Sequence, residues 1–285
     1  MISFRADLHS HSTCSDGSMT PDQLLHHAAE IGLNALSITD HDTIDAYTPD
    51  IFTLAKKLNI ELLTGVEFST ILDSVSIHLL GYNFSLENPE ILAFCARHKN
   101  RRIARYREIL KLLAAQGIPI DEEDLLKNAI ATQPSQQNRI IGRPHIAQMM
   151  IKLGYVETIQ EAFKRYLGDG CSCYVQGEYI TPEETIEILH NAGGVAVIAH
   201  PHLIKQPKIL PRLFNMKFDG IECYYSKFHL KDHQRWIKIA ERQDLLITGG
   251  SDFHGDVKPT TPLGCSWINE ELFRKLQNYA IPRPS

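Results

Sequence analysis

The 285-residue sequence lacks any run of eighteen or more apolar residues, so no segment is long enough for a transmembrane helix. The N-terminal residues also lack a charged leader followed by an apolar signal segment. There is no excess of positive charge, because 29 lysines and arginines stand against 34 acids, for a formal charge of −5. We therefore expect a cytoplasmic protein with no membrane association and no broad surface for long duplex nucleic acid, while small phosphorylated substrates remain compatible with this charge.

Six cysteines in a chain of this length, without a secretory leader, favour reduced thiols over a disulfide framework. Cys171 and Cys173 form the only close pair. Their spacing suits a soft metal ion, but no second cysteine pair completes a tetrahedral site. Ordinary packing is therefore the preferred interpretation.

Short apolar runs alternate with helix signals up to about residue 95, and the pattern resumes after residue 178. This alternation is typical of a parallel sheet with crossover helices. Segments 20–23 and 181–184 each place a threonine before a proline and then a glutamine or glutamate, which predicts a capped helix start. We expect strands near residues 2–8, 35–38, 60–63, 76–80 and 195–199, and two more that end near Cys223 and Thr248.

Residues 96–178 show helical runs and a polar loop at 132–138, but no convincing strand. The sequence therefore predicts an α/β unit formed by residues 1–95 and 179–285, into which a helical subdomain is inserted.

Histidines and acids cluster at or near the predicted strand ends. They are Asp7, His9, His11, Asp16, Asp40, His41, Asp42, Glu67, His78, His200, Asp252 and His254. In a parallel α/β barrel the C-terminal strand ends meet on one face, so residues distant in sequence would gather there. Neutral imidazole and ionised carboxylate together suit divalent zinc, manganese or iron. We therefore predict a metal site, in which the alternative for Asp7 and Asp42 is to orient a histidine.

Six short motifs carry most of these residues. They are Asp7-Leu8-His9-Ser10-His11, Ser15-Asp16-Gly17, Thr39-Asp40-His41-Asp42, Gly65-Val66-Glu67, Ala199-His200-Pro201 and Ser251-Asp252-Phe253-His254. In this order they resemble the motif set of the polymerase and histidinol phosphatase (PHP) family, over nearly the whole chain. Gly142-Arg143-Pro144-His145 in the insert resembles one subgroup, the 3',5'-nucleotide bisphosphate phosphatases and the 5'-3' exoribonucleases of the RNase AM (TrpH-like) type.

The resemblance implies a distorted seven-stranded, TIM-like (β/α) barrel with a trinuclear centre. Three Mn²⁺ ions are expected, with Zn²⁺, Fe²⁺ or Mg²⁺ as alternatives. By similarity, the first ion would be held by His9, His11, Glu67 and Asp252, the second by Asp16, His41 and His254, and the third by Glu67, His78 and His200. Except for His78, these ligands also form the predicted catalytic set.

Arg143 and His145 would bind the substrate's phosphate, as the resemblance implies, which would make the insert the substrate-recognition subdomain. Arginine suits this role because its planar fork of donors matches phosphate. The alternative is an ordinary surface arginine beside the helix start at Pro144. Residues 97–111 contain seven basic residues and one acid, either as an RNA-guiding surface or as a solvated helix face.

One departure from the subgroup concerns the residues after Pro201. Relatives continue with glycine and arginine, whereas here His202 and Leu203 follow. A phosphate or base contact is therefore either lost or taken over by His202. His229 is a further candidate neighbour of the site.

The leading functional expectation is hydrolysis of a nucleotide phosphomonoester, or of the 5'-terminal bond of a short 5'-phosphorylated RNA, by a metal-bound hydroxide. One alternative is a histidinol-phosphate phosphatase that uses the same metals. Another is a non-catalytic, regulatory metal-binding module, which the complete ligand set disfavours. Protein partners are not indicated by the sequence.

Overall fold

The computed structural model describes residues 4–131, 141–226 and 230–279. The predicted polar loop at 132–138 and His229 lie outside these residues. Ten helices are labelled α1 (Pro21–Glu30), α2 (Pro49–Lys57), α3 (Pro89–Ala115), α4 (Glu122–Ala131), α5 (Arg143–Lys152), α6 (Ile159–Ala162), α7 (Pro182–Asn191), α8 (Ile209–Phe214), α9 (Leu230–Arg242) and α10 (Glu270–Gln277). No helix in the described ranges combines the length and apolar character needed to cross a membrane.

The strands form two sheets. They are β1 (Ala6–Asp7), β2 (Ala35–Leu36), β3 (Glu61–Leu62), β4 (Gly65–Leu72), β5 (Val75–Tyr82), β6 (Val195–Ile198), β7 (Gly220–Tyr225) and β8 (Leu246–Gly250). The first three make a parallel sheet. The other five make a mixed sheet, in which β5 is antiparallel to β4 and β6, while β6, β7 and β8 are parallel.

Two features of this sheet depart from the sequence prediction. Strand β4 was not predicted, and Glu67 lies within it instead of in a loop after the third strand. The antiparallel direction of β5 was also not predicted. Because β5 is antiparallel to β6, His78 in the first half of β5 lies beside the C-terminal end of β6.

Isolated bridges connect the two sheets. Ser10 pairs with Phe253 and His41 pairs with Glu67, both in parallel orientation, and the Leu8 amide donates to the Gly249 carbonyl at 3.2 Å. These contacts bring the end of β1 beside the end of β8, and the loop after β2 beside β4. Within the described residues the strands form a mixed α/β fold with parallel pairing, without a continuous closed barrel.

The predicted helix starts at Thr20 and Thr181 are confirmed. The Thr20 hydroxyl accepts the Gln23 amide at 3.3 Å, and the Gln23 side chain accepts the Thr20 amide at 2.9 Å. At the second start, the Thr181 hydroxyl accepts the Glu184 amide at 3.2 Å. Each contact satisfies an amide that has no partner inside its helix.

The described residues between β5 and β6 are mainly helical and have their own apolar core, which includes residues from Tyr106 to Cys173. Helix α3 begins before the expected boundary at residue 96. Its first half packs into the apolar core against the five-stranded sheet, and its second half packs into this second core. All six cysteines are free thiols, as predicted, and Cys173 is buried in the second core.

Candidate metal centre

The structure brings the nine predicted metal ligands together around one carboxylate, Glu67. They are His9, His11, Asp16, His41, Glu67, His78, His200, Asp252 and His254. Glu67 is 1% exposed and projects from β4. Because β4 is bridged to the loop after β2, the carboxylate faces residues from both sheets.

Each oxygen of Glu67 faces a different set of imidazoles. Oε2 lies 3.3 Å from His9 Nε2, 3.1 Å from His11 Nε2 and 3.2 Å from His41 Nδ1. Oε1 lies 2.8 Å from both His78 Nδ1 and His200 Nε2. Burial opposes ionisation of Glu67, but the surrounding imidazoles outweigh it and hold the pKa of the carboxyl well below its usual range.

Among the residues that the structure describes, three groups of side chains have ligand atoms within 4.8 Å of one another. They are His9 with His11, Glu67 and Asp252; His11 with Asp16, His41 and His254; and His41 with Glu67 and His78. Asp252 Oδ1 lies 3.3 Å from His11 Nε2, and Asp16 Oδ1 lies 3.4 Å from His254 Nε2. His200 stands outside these groups, although its Nε2 contacts Glu67.

The nitrogen and oxygen atoms of the cluster are arranged to bind a metal ion, because several of them have no hydrogen-bond partner within the described protein. Five buried atoms of the cluster have no hydrogen-bond partner among the described residues: His9 Nε2, His11 Nδ1, His11 Nε2, His41 Nδ1 and Glu67 Oε2. Buried polar atoms without partners are costly, and here several converge in one place. Divalent cations that accept imidazole nitrogen and carboxylate oxygen would satisfy them.

Carboxylate and backbone groups behind the cluster orient the histidines. Glu222 Oε1 lies 2.9 Å from His9 Nδ1, which leaves Nε2 of the same ring directed at Glu67, and Glu222 Oε2 accepts the His200 amide at 2.7 Å. His254 Nδ1 lies 2.9 Å from the Asp252 carbonyl. Such outer contacts fix ring orientation and tautomer at metal sites. Glu222 was not predicted, although an acid inside the buried strand β7 was a usable signal.

Asp7 and Asp42 belong to none of the three ligand groups. Their carboxylates instead accept hydrogen bonds that hold neighbouring segments together. Asp7 accepts the Ser251 amide at 2.9 Å and the Gly264 amide at 2.8 Å, so it connects the first strand end to the last. Asp42 accepts the Ser69 amide at 2.7 Å and the Arg102 Nε–H at 2.5 Å. Burial opposes ionisation of Asp42, but Arg102 and His98 hold the pKa of its carboxyl well below the usual range.

A cavity adjoins the cluster and is lined on the metal side by Asp16, His41, His78 and His254. The same cavity is lined by four arginines: Arg101, Arg102, Arg105 and Arg143. The first three belong to α3, so the basic run at 97–111 is not simply a solvated helix face. Its outer members do pair on the surface, as Arg107 does with Glu122 at 2.9 Å.

Two of the four cavity arginines, Arg101 and Arg105, contact backbone carbonyl groups, whereas Arg102 pairs with Asp42 and Arg143 with Asp169. Arg101 Nη1 donates to the Ser69 carbonyl at 2.9 Å, and Arg105 Nε donates to the Val175 carbonyl at 2.6 Å. Neither side chain forms an ion pair within the described part of the chain. Burial, followed by the nearby Arg143 and Arg102, lowers the pKa of Arg105 to about 10. Crowded, partly desolvated guanidinium groups of this kind attract an anion.

Comparison with known proteins decides the family. The family model described as PHP domain matches residues 7–129. A 5'-3' exoribonuclease of Haemophilus influenzae is 36% identical over 284 residues, which cover 97% of this chain and 96% of the relative. The chain belongs to the PHP family. A 3',5'-nucleoside bisphosphate phosphatase of Chromobacterium violaceum is a further relative, 28% identical over 253 residues that cover 87% of this chain and 86% of that protein.

A solved structure agrees with this PHP assignment. A Bifidobacterium adolescentis protein assigned as a metal-dependent phosphoesterase superimposes with a TM-score of 0.85 at 29% identity, covering 98% of this chain and 97% of that one. The present PHP protein is thus a hydrolase that acts on phosphate esters and has a histidine and carboxylate cluster able to bind metal.

The predicted substrate-binding residues of this PHP protein have different surroundings. Arg143 lines the cavity and donates to the Leu167 carbonyl at 3.1 Å and to Asp169 at 3.0 Å. His145 is buried at the start of α5, where its Nδ1 accepts the Gly142 amide at 3.0 Å. Its contact with substrate phosphate stays a prediction.

His202 does not line the cavity of the PHP protein. Its ring stacks on Tyr225 with centroids 5.8 Å apart and meets the edge of Trp236 at 5.2 Å. Burial, followed by His233 and His200, lowers the pKa of His202 to about 3, which keeps the ring neutral. A neutral, packed imidazole therefore supplies no positive charge to the cavity.

Proposed function

We propose that this protein hydrolyses the phosphate ester of a 3',5'-nucleotide bisphosphate, or removes 5'-terminal nucleotides from short 5'-phosphorylated RNA. The observation that supports this proposal most is the cavity shared by the metal cluster and the four arginines. A substrate with two separated phosphate groups can place one at the metals and another at the guanidinium groups. The net charge of −5 is consistent with a small or short substrate held in a local basic pocket.

We further propose three metal ions, with Mn²⁺ as the active metal, Zn²⁺, Fe²⁺ or Mg²⁺ as alternatives, and the ligand division that the family resemblance implies. Three overlapping ligand groups support this number, and Glu67 belongs to two of them. Divalent ions bound there would activate water and stabilise negative charge on the phosphoryl oxygens.

The protein's own side chains orient the substrate in this proposal. Arg101 lines the cavity and is 8% exposed, and its buried Nε has no hydrogen-bond partner among the described residues. Arg143 lies 5.5 Å from the ring centroids of both Phe163 and Tyr174, which limits the positions its guanidinium can take. Fixed donors of this kind hold a phosphate in place while the other end of the molecule reacts.

The fold supports separate roles for two parts of the chain, one in metal binding and one in substrate recognition. We propose that residues 1–95 and 179–285 act as the distorted PHP barrel that carries the metals, and that residues 96–178 form the subdomain that recognises substrate. The bridges between the two sheets and the separate apolar core of the insert support this division.

A panel assay on the manganese-loaded protein tests the proposed function. Adenosine 3',5'-bisphosphate and short 5'-phosphorylated RNA are expected to be hydrolysed with kcat/KM at least about tenfold above histidinol phosphate, because only they offer a second phosphate to the arginines. Metal content is measured on the same sample. Preference for histidinol phosphate would favour that phosphatase, and failure to hydrolyse any ester would leave a non-catalytic metal-binding module.

Replacing Arg143 with alanine is expected to raise KM for adenosine 3',5'-bisphosphate by about 10-fold to 100-fold, because a charge-assisted contact to phosphate is lost. Metal content should not change, because no ligand group includes Arg143. The measurements are steady-state kinetics and elemental analysis.

Arg165→Ala is the matched control for Arg143→Ala. Arg165 lies in the same subdomain, is exposed, and pairs with Glu161 on the surface. It should keep the wild-type KM. An equal loss of metal and substrate binding in Arg143→Ala would contradict the substrate-binding role of Arg143.

A further inference from the structure

Lys258 stands at the junction between the metal cluster and the cavity. Its side chain lines the cavity and is 33% exposed. Its Nζ donates to Asp252 Oδ2 at 2.9 Å, while Oδ1 of the same carboxylate faces His11 at 3.3 Å. The ammonium group therefore contacts a carboxylate of the metal cluster directly, and the side chain lines the space where a substrate would lie.

The backbone before Lys258 is fixed by a close approach to Ser18. Gly255 has a φ of +64°, and a Cβ at that position would lie 1.9 Å from Ser18 Oγ, so the turn requires glycine. The Asp256 amide donates to the same Ser18 hydroxyl at 2.9 Å. The chain therefore leaves His254 along a defined path, and Lys258 is held beside the ligands that precede it.

Asp252 Oδ2 has a second hydrogen-bond donor besides Lys258. The carboxylate therefore does not depend on Lys258 alone to hold its position. The Tyr225 hydroxyl donates to this oxygen at 2.7 Å. A lysine ammonium carries three N–H donors, and the contact with Asp252 uses one of them. Because the Lys258 side chain lines the cavity, the remaining two donors can serve an anion bound there.

We propose that Lys258 is a substrate-contacting catalytic residue, whose ammonium group binds the phosphoryl oxygens of the ester that reacts at the metal cluster. This inference rests on the proposed phosphoesterase function and adds the residue that holds the reacting phosphate, as opposed to the distal phosphate at the arginines. Lys258 also supplies positive charge on the metal side of the cavity, where His202 provides none.

The role is chemically reasonable because phosphoryl transfer builds negative charge on the non-bridging oxygens. A fixed ammonium within reach of those oxygens stabilises the transition state more than the ground state. Its salt bridge with Asp252 also keeps the lysine in one position before substrate arrives. Lys258 would therefore affect turnover as well as binding.

The test compares Lys258→Met with Tyr225→Phe, because the two wild-type side chains donate to the same carboxylate oxygen. Inorganic phosphate binding to the manganese-loaded proteins is measured by titration calorimetry, together with metal content and kcat/KM on the preferred ester. Lys258→Met is expected to bind phosphate at least about tenfold more weakly and to lose about 100-fold in kcat/KM, with wild-type metal content. Tyr225→Phe should change metal content more than phosphate affinity.

Lys258→Arg should recover part of the phosphate affinity, and Lys258→Gln provides a polar second variant if the methionine protein folds poorly. Wild-type phosphate affinity in Lys258→Met or Lys258→Gln would overturn the proposal, and so would a loss of phosphate affinity in these variants that is matched by an equal loss of metal. The calorimetric comparison needs no turnover. A wild-type protein that binds phosphate through Lys258 but hydrolyses no ester would therefore refute the phosphoesterase function separately.

Discussion

Replacing Glu67 with glutamine is expected to remove metal from two of the three ligand groups and to lower kcat/KM by at least about a thousandfold. Both carboxylate oxygens are involved, because Oε1 contacts His78 and His200 while Oε2 contacts the other imidazoles. Glutamine keeps the size of the side chain but loses its charge, and its NH₂ group cannot bind a cation. Elemental analysis and steady-state kinetics on the same preparation measure both effects.

Glu61→Gln is the matched control for Glu67→Gln. Glu61 lies on β3, has 40% of its side chain exposed and pairs with Arg274. Its replacement should leave metal content and kcat/KM near the wild-type values, because a surface ion pair contributes little. A Glu67→Gln protein with full metal content would show that the cluster does not depend on a shared carboxylate.

Replacing Asp42 with alanine is expected to lower the free energy of unfolding by about 3–5 kcal/mol, because it leaves a partly buried cation without its partner. Arg102 and His98 both face this carboxylate, and the Ser69 amide also loses its acceptor. The contact joins α3 to the loop that carries His41, so the variant should also bind metal more weakly. Urea denaturation of the metal-free protein measures the stability change.

Asp45→Ala provides the comparison for Asp42→Ala. Asp45 lies in the same loop and is exposed. Its removal should change the free energy of unfolding by less than about 0.5 kcal/mol. If Asp42→Ala were no more destabilising than Asp45→Ala, the buried contact between α3 and the His41 loop would not be a stabilising element.

The metal-side residues could be predicted from the sequence because strand ends are visible in it. Alternating or continuous apolar runs locate the strands, and the polar residues that follow must emerge at a sheet edge. His9, His11 and Asp252 were found in this way, and the structure places them together. The predicted helix starts were similarly secure, since capping depends on residues that are neighbours in the chain.

The antiparallel direction of β5 within the sheet could not be predicted in the same way. β4 and β5 are joined by a tight turn at Asp73 and Ser74, and β5 then pairs with β6 more than a hundred residues later. Pairing over such a distance depends on tertiary packing that the local pattern does not contain. The parallel pattern of the rest of the chain favoured the wrong direction for β5.

Arg143 and the metal-side residues of the cavity were predicted, but the positions of Arg101, Arg105 and Lys258 could not be assigned from the sequence. A run of basic residues on a helix gives the spacing of the charges, but it does not say which side faces solvent and which faces a neighbouring domain. Arg101 and Arg105 line the cavity, whereas Arg97 pairs with Glu178 and Glu184 instead. Lys258 follows a glycine turn after the last metal motif and carries no local signal of its position.

The placement of β1 beside the end of β8 has a consequence for biosynthesis. A ribosome makes the chain from its N-terminus, so His9 and His11 emerge long before Asp252 and His254, with which they share ligand groups. A nascent chain that has not reached these last residues lacks part of every group except the one formed by His41, Glu67 and His78. We therefore expect hydrolytic activity to require translation through His254, and a product that terminates before Asp252 to be inert toward phosphate esters.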